Sequence, residues 1–103
     1  VAGLVAMTTA SVSDDCLACM CWASSEGCVM PDPLCNQFMA CGPWRITEPY
    51  WKDGGYHMGF FQACAADWTC NEDTVHGYLD RYVTDPSATC EIYARTHYGG
   101  PSG

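Results

Sequence analysis

The sequence is poor in basic residues. Its 103 residues include four Lys or Arg against twelve Asp or Glu, and the formal net charge is -8. Nucleic-acid binding depends on the neutralisation of phosphates by Lys and Arg. Adhesion to an anionic membrane or an intact bacterial wall by charge alone needs the same residues. The composition therefore predicts neither a nucleic-acid partner nor a membrane partner.

The sequence also lacks internal repeats, a long linker and any apolar run long enough to cross a bilayer, which needs about 20 residues. Residues 1–10 are apolar and then small. This pattern is typical of the end of a signal peptide with a cleavage site near Ala10. Residues 1–12 are thus expected to be a signal-peptide remnant or an N-terminal tail, and residues 13–103 the folded domain. An N-terminal segment packed on the domain is the alternative.

Cysteine is abundant instead. Nine cysteines in 103 residues approach the density of a disulfide scaffold and favour an oxidising compartment, so the protein is expected to be secreted, extracellular or luminal. The Cys16-x-x-Cys19 spacing is also compatible with a redox motif or half of a zinc site. No β-α-β pattern surrounds it, and the histidines at 57, 76 and 97 are scattered. We therefore expect disulfides, no metal and no cofactor.

Polar caps and apolar spacing predict a mostly helical fold. Ser13 followed by Asp14 and Asp15 is typical of a helix start. A small hairpin is expected over residues 38–46, and a turn over residues 52–55. The helices are expected at about Asp14–Ala23, Phe60–Trp68, Asp73–Val83 and, with Ser87 as its cap, Ala88–His97.

Specific motifs run along most of the chain: Cys16-Leu-x-Cys19-x-Cys21, Cys41-Gly-x-x-x-Ile46, Pro49-Tyr50-Trp51-x-Asp53-Gly54, Cys64 to Cys70, Tyr78-Leu79-x-Arg81-Tyr82, and Cys90-Glu-x-Tyr-Ala-Arg95-x-His97-x-Gly99-Gly100-Pro101. Together they resemble the invertebrate-type lysozymes, also called the destabilase-like family. The resemblance covers about residues 13–103 and implies a lysozyme-like α+β fold. Two segments, Arg45-Ile46-Thr47 and Asp53-Gly54-Gly55, look more like the arthropod branch.

The resemblance also implies a disulfide pattern. Short spacings favour local bridges, and the family pairs the cysteines that match Cys21–Cys28, Cys35–Cys41 and Cys64–Cys70. Cys16, Cys19 and Cys90 remain, and Cys16–Cys90 is one plausible bridge. The family continues past the Gly-Gly-Pro-x-Gly motif into another cysteine, so the native chain is expected to extend beyond Gly103 and to bond back to Cys19 or Cys90.

One further disulfide of many relatives is absent. Those relatives carry a cysteine at the position of Gly54, paired with another cysteine near Thr74. Both cysteines are missing here. Because two cysteines that form one disulfide are expected to be lost together, this paired absence supports the resemblance.

The catalytic positions depart from the family. A glycosidase of this kind needs a protonated acid and a second carboxylate. Active members carry the acid as a Glu three residues after the third cysteine of the opening motif, where this chain has Ser24. The second carboxylate lies between the cysteines that match Cys35 and Cys41, and residues 36–40 contain no acid. The Ser and Lys proposed for isopeptidase activity are unmatched as well, with Thr47 at the Lys position.

Two other acids are candidate catalytic residues. Glu26 lies two residues after Ser24, in a segment one residue longer than usual, and Asp32 lies on a proline-held loop. The alternative for each is a solvated surface carboxylate. Because a displacement of about 1 Å can cost on the order of 100-fold in rate, we expect weak or lost muramidase activity.

Three aromatic residues are candidates for sugar binding. Trp44, Tyr50 and Trp51 match the segment that lines the sugar cleft in this fold class, and flat rings stack on sugar faces. Core packing is the alternative for each.

Three functions therefore compete. The first is a secreted lysozyme-fold protein that binds peptidoglycan or another amino-sugar polymer without the standard carboxylates. The second is an active lysozyme that uses Glu26 with Asp32 or another acid. The third is a structural, disulfide-rich extracellular protein.

Overall fold

The computed structural model describes residues 11–102, so the expected signal-peptide remnant lies almost wholly outside the described residues. The prediction of a mostly helical, disulfide-rich fold is confirmed. None of the described helices has the length and apolar composition needed to cross a membrane. In chain order the helices are α1 (Asp14–Ser25), α2 (Glu48–Asp53), α3 (Phe61–Ala65), α4 (Trp68–Tyr82) and α5 (Cys90–Gly99).

Helix α1 begins where the sequence predicts. The Ser13 hydroxyl accepts a hydrogen bond from the Cys16 amide at 3.1 Å, and two acids occupy the first turn. The helix extends two residues beyond the predicted end at Ala23. It stops at Glu26, whose φ of 57° is left-handed and whose amide donates to the Trp22 carbonyl.

Helices α3 and α4 differ in extent from the predicted segments. Residues 60–68 do not form one helix, because α3 ends at Ala65 and Asp67 caps a new helix. The Asp67 carboxylate accepts from the Cys70 amide at 2.8 Å, so α4 begins at Trp68 and not at Asp73.

Helix α5 begins later than predicted. The Ser87 hydroxyl bonds to Asp85 at 2.8 Å in the preceding turn. Thr89 occupies the N-cap position, and the helix begins at Cys90.

Helix α2 was not predicted. Its last two residues occupy the first half of the expected 52–55 turn, and the predicted turn is present at Gly54 and Gly55. Glu48 and Pro49 occupy its first turn, a pattern typical of helix starts because proline there gives up no needed hydrogen bond.

The expected hairpin is present in a reduced form. Two isolated antiparallel bridges join Cys41 to Cys35 and to Ile46. The intervening segment turns tightly at Gly42, whose φ is 79°. A Cβ at Gly42 would lie 2.3 Å from the Ala65 carbonyl oxygen, so the loop packs directly against the end of α3.

Helix α4 is the centre of the core and packs against α2, α3 and α5. Val75 and Leu79 of α4 and Ile46 of the bridge segment are fully buried. Val12, one residue before the predicted domain boundary at residue 13, is also buried, and the boundary itself stays a prediction.

Four disulfides connect these elements. Cys16–Cys90 joins α1 to α5 across 74 residues. Cys21–Cys28, Cys35–Cys41 and Cys64–Cys70 close short loops, and these are the pairs that the family resemblance implies. Cys19 is exposed and has no disulfide partner among the described residues.

Gly54 lies directly against α4. A Cβ built on it would be 2.6 Å from the carbonyl oxygen of Thr74 and 2.8 Å from its methyl group. Gly54 and Thr74, the positions at which the resemblance places the cysteine pair of many relatives, are therefore in contact.

Candidate functional site

A cavity of about 400 Å³ opens where the bridge segment, α2, α4 and the end of α5 meet. We call it the central cavity. Tyrosines form much of its wall, and the wall also includes one arginine and one aspartate side chain. Its lining residues are Ala40, Arg45, Thr47, Pro49, Tyr50, Asp53, Tyr78, His97, Tyr98 and Gly100.

A buried hydrogen-bond chain fixes the floor of the cavity. The His97 Nε2 lies 3.0 Å from the Trp44 carbonyl oxygen, and its Nδ1 lies 2.7 Å from the Tyr50 hydroxyl. Because a carbonyl can only accept, Nε2 carries the proton of the neutral ring and Tyr50 donates to Nδ1. Burial lowers the pKa of His97 to about 4, against the opposing effect of the bond to Trp44. The imidazole is therefore neutral at pH 7.

Stacked aromatic rings support this chain. Tyr50 stacks on Tyr78 with ring centroids 3.7 Å apart and planes 11° from parallel. Burial raises the pKa of Tyr50 above its usual value, so its hydroxyl keeps its proton. The cavity floor is a neutral, preformed surface.

Asp53 supplies the carboxylate of the cavity. It lies at the end of α2, and its Oδ2 accepts from the Tyr82 hydroxyl at 3.1 Å. Its Oδ1 lies 3.7 Å from a guanidinium nitrogen of Arg81. Among the described residues of the lining, Asp53 is the one acid, and its two oxygens contact Tyr82 and Arg81.

Ser24, which the resemblance aligns with the catalytic acid of the family, is hydrogen-bonded to the cavity wall. Its Oγ lies 2.8 Å from the hydroxyl of Tyr98. The Tyr98 hydroxyl also lies 2.9 Å from the carbonyl oxygen of Met20, to which it donates. Because that carbonyl takes the Tyr98 proton, the serine hydroxyl donates to the Tyr98 oxygen. Ser24 and Tyr98 therefore form a hydroxyl–hydroxyl contact that links α1 to the lining of the cavity.

The two candidate catalytic acids lie apart from this lining. Glu26 is exposed at the end of α1, and Asp32 is exposed on the following loop. Neither is among the described residues that line the central cavity. Their proposed catalytic roles stay predictions.

The three candidate sugar-binding aromatics are all buried, at 4% exposure for Trp44, 8% for Tyr50 and 4% for Trp51. The indole of Trp44 donates to the Leu17 carbonyl at 3.0 Å, and that of Trp51 donates to the His57 carbonyl at 2.9 Å. Tyr50 alone of the three lines the central cavity. Their role in sugar binding stays a prediction.

Sequence reasoning missed the contribution of Tyr98, Asp53 and Arg45 to the cavity wall. Tyr98 is 55% exposed and lies one position after the family motif residue His97, at the end of α5. Tyr98 comes just before the glycines at 99 and 100, which predict the end of a helix. Side chains at the end of a helix often line cavities, and this position was the one indication in the sequence that Tyr98 belongs to the site.

One cluster has metal-ligand chemistry. Single ligand atoms of Asp14, Glu72 and His76 lie within 4.8 Å of one another, and His76 lies 3.8 Å from Glu72 on the same face of α4. Asp14 is exposed and the other two are half-buried. Ion pairing of this kind needs no metal, and the expectation of no metal stays a prediction.

Comparison with known proteins matches this arrangement to one family. The model of the Destabilase family matches residues 13–103. The lysozyme of Magallana gigas is 41% identical over 100 residues, covering 91% of this chain and 70% of that protein. The invertebrate-type lysozyme of Ruditapes philippinarum is 38% identical over 98 residues, covering 89% of this chain and 70% of that protein.

Solved structures show the same fold. The Tapes japonica lysozyme superimposes with a TM-score of 0.78 at 35% identity, covering 92% of this chain and 80% of that chain. The lysozyme of Meretrix lusoria, in complex with Aeromonas hydrophila PliI, gives a TM-score of 0.77 at 35% identity and the same coverage.

Proposed function

Because the chain belongs to the Destabilase family of invertebrate-type lysozymes, we propose that it is a secreted protein that binds peptidoglycan or a related amino-sugar polymer with weak or lost muramidase activity. Its relatives are named lysozymes, which supports a cell-wall glycan as the ligand. Four disulfides in so short a chain support an oxidising, extracellular location.

The single observation that carries the proposal is the carboxylate content of the central cavity. Cleavage of a glycosidic bond needs two carboxyl groups about 5–9.5 Å apart on either side of the bond. Asp53 is the one acid among the described residues of the lining, and Arg81 and Tyr82 hold it. We attribute the lack of a second carboxylic acid among the described lining residues to Ser24, which the resemblance aligns with the acid of the family.

Binding does not require the missing acids. Tyr98 lines the cavity and is 55% exposed, and tyrosine combines a flat apolar face with a polar hydroxyl. A cavity of about 400 Å³ falls in the range of small-molecule sites. Binding of a short glycan segment without cleavage is the function that this geometry supports best.

Co-sedimentation with insoluble peptidoglycan tests the proposal. The unmodified chain should sediment with the polymer in a saturable manner, and Tyr98→Ala should weaken binding about tenfold, which corresponds to about 1.4 kcal/mol. Tyr56→Ala is the matched control, because Tyr56 has nearly the same exposure, 57%, but does not line the cavity.

Failure of the unmodified protein to sediment would contradict the proposal and favour a structural role. Equal weakening by both tyrosine variants would place the binding surface elsewhere. Circular dichroism of each variant checks that the fold is retained.

A further inference from the structure

The charges around the central cavity leave one cation without a carboxylate partner. Asp53 is balanced by Arg81 outside the lining, and His97 is neutral at pH 7. Arg45 also lines the cavity, and no described carboxylate lies within salt-bridge distance, 4.0 Å, of its guanidinium. Arg45 is therefore the one charged lining residue without a described partner of opposite charge, in a protein whose net charge is -8.

The other arginines of the chain behave differently. Arg81 and Arg95 are exposed, and each lies within 4.0 Å of a carboxylate. Arg45 is half-buried, where removing a charge from water carries a free-energy cost unless a partner of opposite charge compensates it. A bound anion would supply that partner.

The Arg45 side chain is held in place but retains free donors. Its Nη1 lies 3.4 Å from the carbonyl oxygens of both Leu34 and Ala40, which are long contacts. A guanidinium has five N–H donors, so the remaining nitrogens are available to a ligand. The backbone at Arg45 is fixed because its amide donates a hydrogen bond to the Gly42 carbonyl at 3.0 Å and because the Cys41–Ile46 β-bridge is adjacent.

We propose that Arg45 is a specificity residue that binds a carboxylate carried by the glycan. This inference rests on the proposed function and adds the ligand class: an amino-sugar glycan with a carboxylate on its side arm, in preference to a neutral polymer. A planar guanidinium pairs with a carboxylate through two parallel hydrogen bonds, which a neutral amide cannot reproduce. In a muramyl glycan that carboxylate is either the free lactyl group or an acid of the attached peptide.

Equilibrium titration with defined saccharides tests the assignment. The first probe is the disaccharide of N-acetylglucosamine and N-acetylmuramic acid with a free lactyl carboxylate, and the second is its carboxamide. The third carries a dipeptide on the lactyl arm, and the fourth is the neutral disaccharide of N-acetylglucosamine. The unmodified protein should bind a carboxylate-bearing probe about tenfold or more tightly than the carboxamide, and whichever of the first and third probes binds more tightly identifies the source of the carboxylate.

Substitutions at Arg45 should remove this preference selectively. Arg45→Gln should bind the two carboxylate-bearing probes no more tightly than the carboxamide, and Arg45→Lys should keep part of the preference because it retains the charge but not the planar fork. Lys52→Gln is the control for net charge, since Lys52 is exposed and outside the lining, and it should leave the preference intact.

Equal affinity of the unmodified protein for acid and carboxamide would overturn the Arg45 assignment while leaving glycan binding in place. No binding of any probe or of peptidoglycan would instead overturn the proposed function together with this inference. The acid–carboxamide comparison uses the unmodified protein, so it remains decisive even if Arg45→Gln fails to fold.

Discussion

The Ser24 hydroxyl lies 2.8 Å from the hydroxyl of Tyr98, and this contact joins the end of α1 to the end of α5. Serine ionises far too weakly to act as the general acid that a carboxyl group of raised pKa provides. The contact therefore gives Ser24 a structural role, because it ties α1 to the cavity wall.

Removal of the Tyr98 hydroxyl should lower stability modestly. Tyr98→Phe deletes the bonds to Ser24 and to the Met20 carbonyl, and we expect the free energy of unfolding to fall by about 1 kcal/mol. Urea denaturation measures it. Tyr56→Phe is the control, because the Tyr56 hydroxyl has no hydrogen bond to another described residue, and an equal loss in both variants would contradict the structural role of the contact.

Gly54 should tolerate no side chain. A methyl group there would lie 2.6 Å from the Thr74 carbonyl oxygen, so Gly54→Ala must separate α2 from α4 and should cost about 1–3 kcal/mol. Gly99 is the matched control, since nothing lies within 4 Å of a methyl group built on it. Gly99→Ala should be neutral or slightly stabilising. Thermal denaturation of the two variants distinguishes them, and similar melting temperatures would refute the close contact.

Stability should fall as the pH drops from about 6.5 to about 4. The pKa of His97 is lowered from about 6.5 in the unfolded chain to about 4 in the fold, so the unfolded state takes up the proton first. The neutral His97 thus contributes about 3 kcal/mol to the free energy of unfolding above pH 6.5. This contribution is lost as the pH falls from 6.5 to 4, and no further loss is expected below pH 4.

Comparison with His97→Gln isolates that contribution. The variant should be less stable at pH 7 but should lose less stability than the unmodified protein between pH 6.5 and pH 4. His76→Gln, which alters a half-exposed histidine, should retain the full pH dependence. Parallel pH curves for the unmodified protein and His97→Gln would rule out a buried neutral histidine.

The Cys16–Cys90 bridge should contribute more stability than a local bridge. It spans 74 residues, whereas Cys64–Cys70 spans 6. On the chain-entropy model the long loop contributes about 4 kcal/mol and the short one about 2 kcal/mol. Replacement of both cysteines of each pair by alanine, followed by guanidinium denaturation, measures the difference. A larger loss for the short bridge would contradict this ranking.

Local signals in the sequence predicted the helical part of the fold well. Ser13 and the two acids after it fix the start of α1, because a side-chain cap acts within three residues. The break between α3 and α4 was missed because Asp67 lies inside an apolar stretch and its capping role depends on the turn that Gly42 packs against. Helix α2 was missed because the Asp53-Gly54-Gly55 turn signal outweighed Pro49.

The cavity was less predictable than the fold. Tyr50 was predicted for the site because the family motif contains it, and it does line the cavity. Tyr98 and Arg45 lie more than 50 residues apart and line the same cavity because α5 lies against the bridge segment, where His97 contacts the Trp44 carbonyl, and no local pattern encodes that packing. The pairing of Asp53 with Arg81 likewise depends on the contact between α2 and α4.

The rate at which the protein releases reducing ends from soluble peptidoglycan tests the central claim most directly. We predict binding of the polymer with cleavage at least about 100-fold slower than that of a catalytically active family member, and an unchanged rate in Glu26→Gln. A rate comparable to that of the active lysozyme, abolished by Glu26→Gln, would contradict the account and establish Glu26 as the catalytic acid.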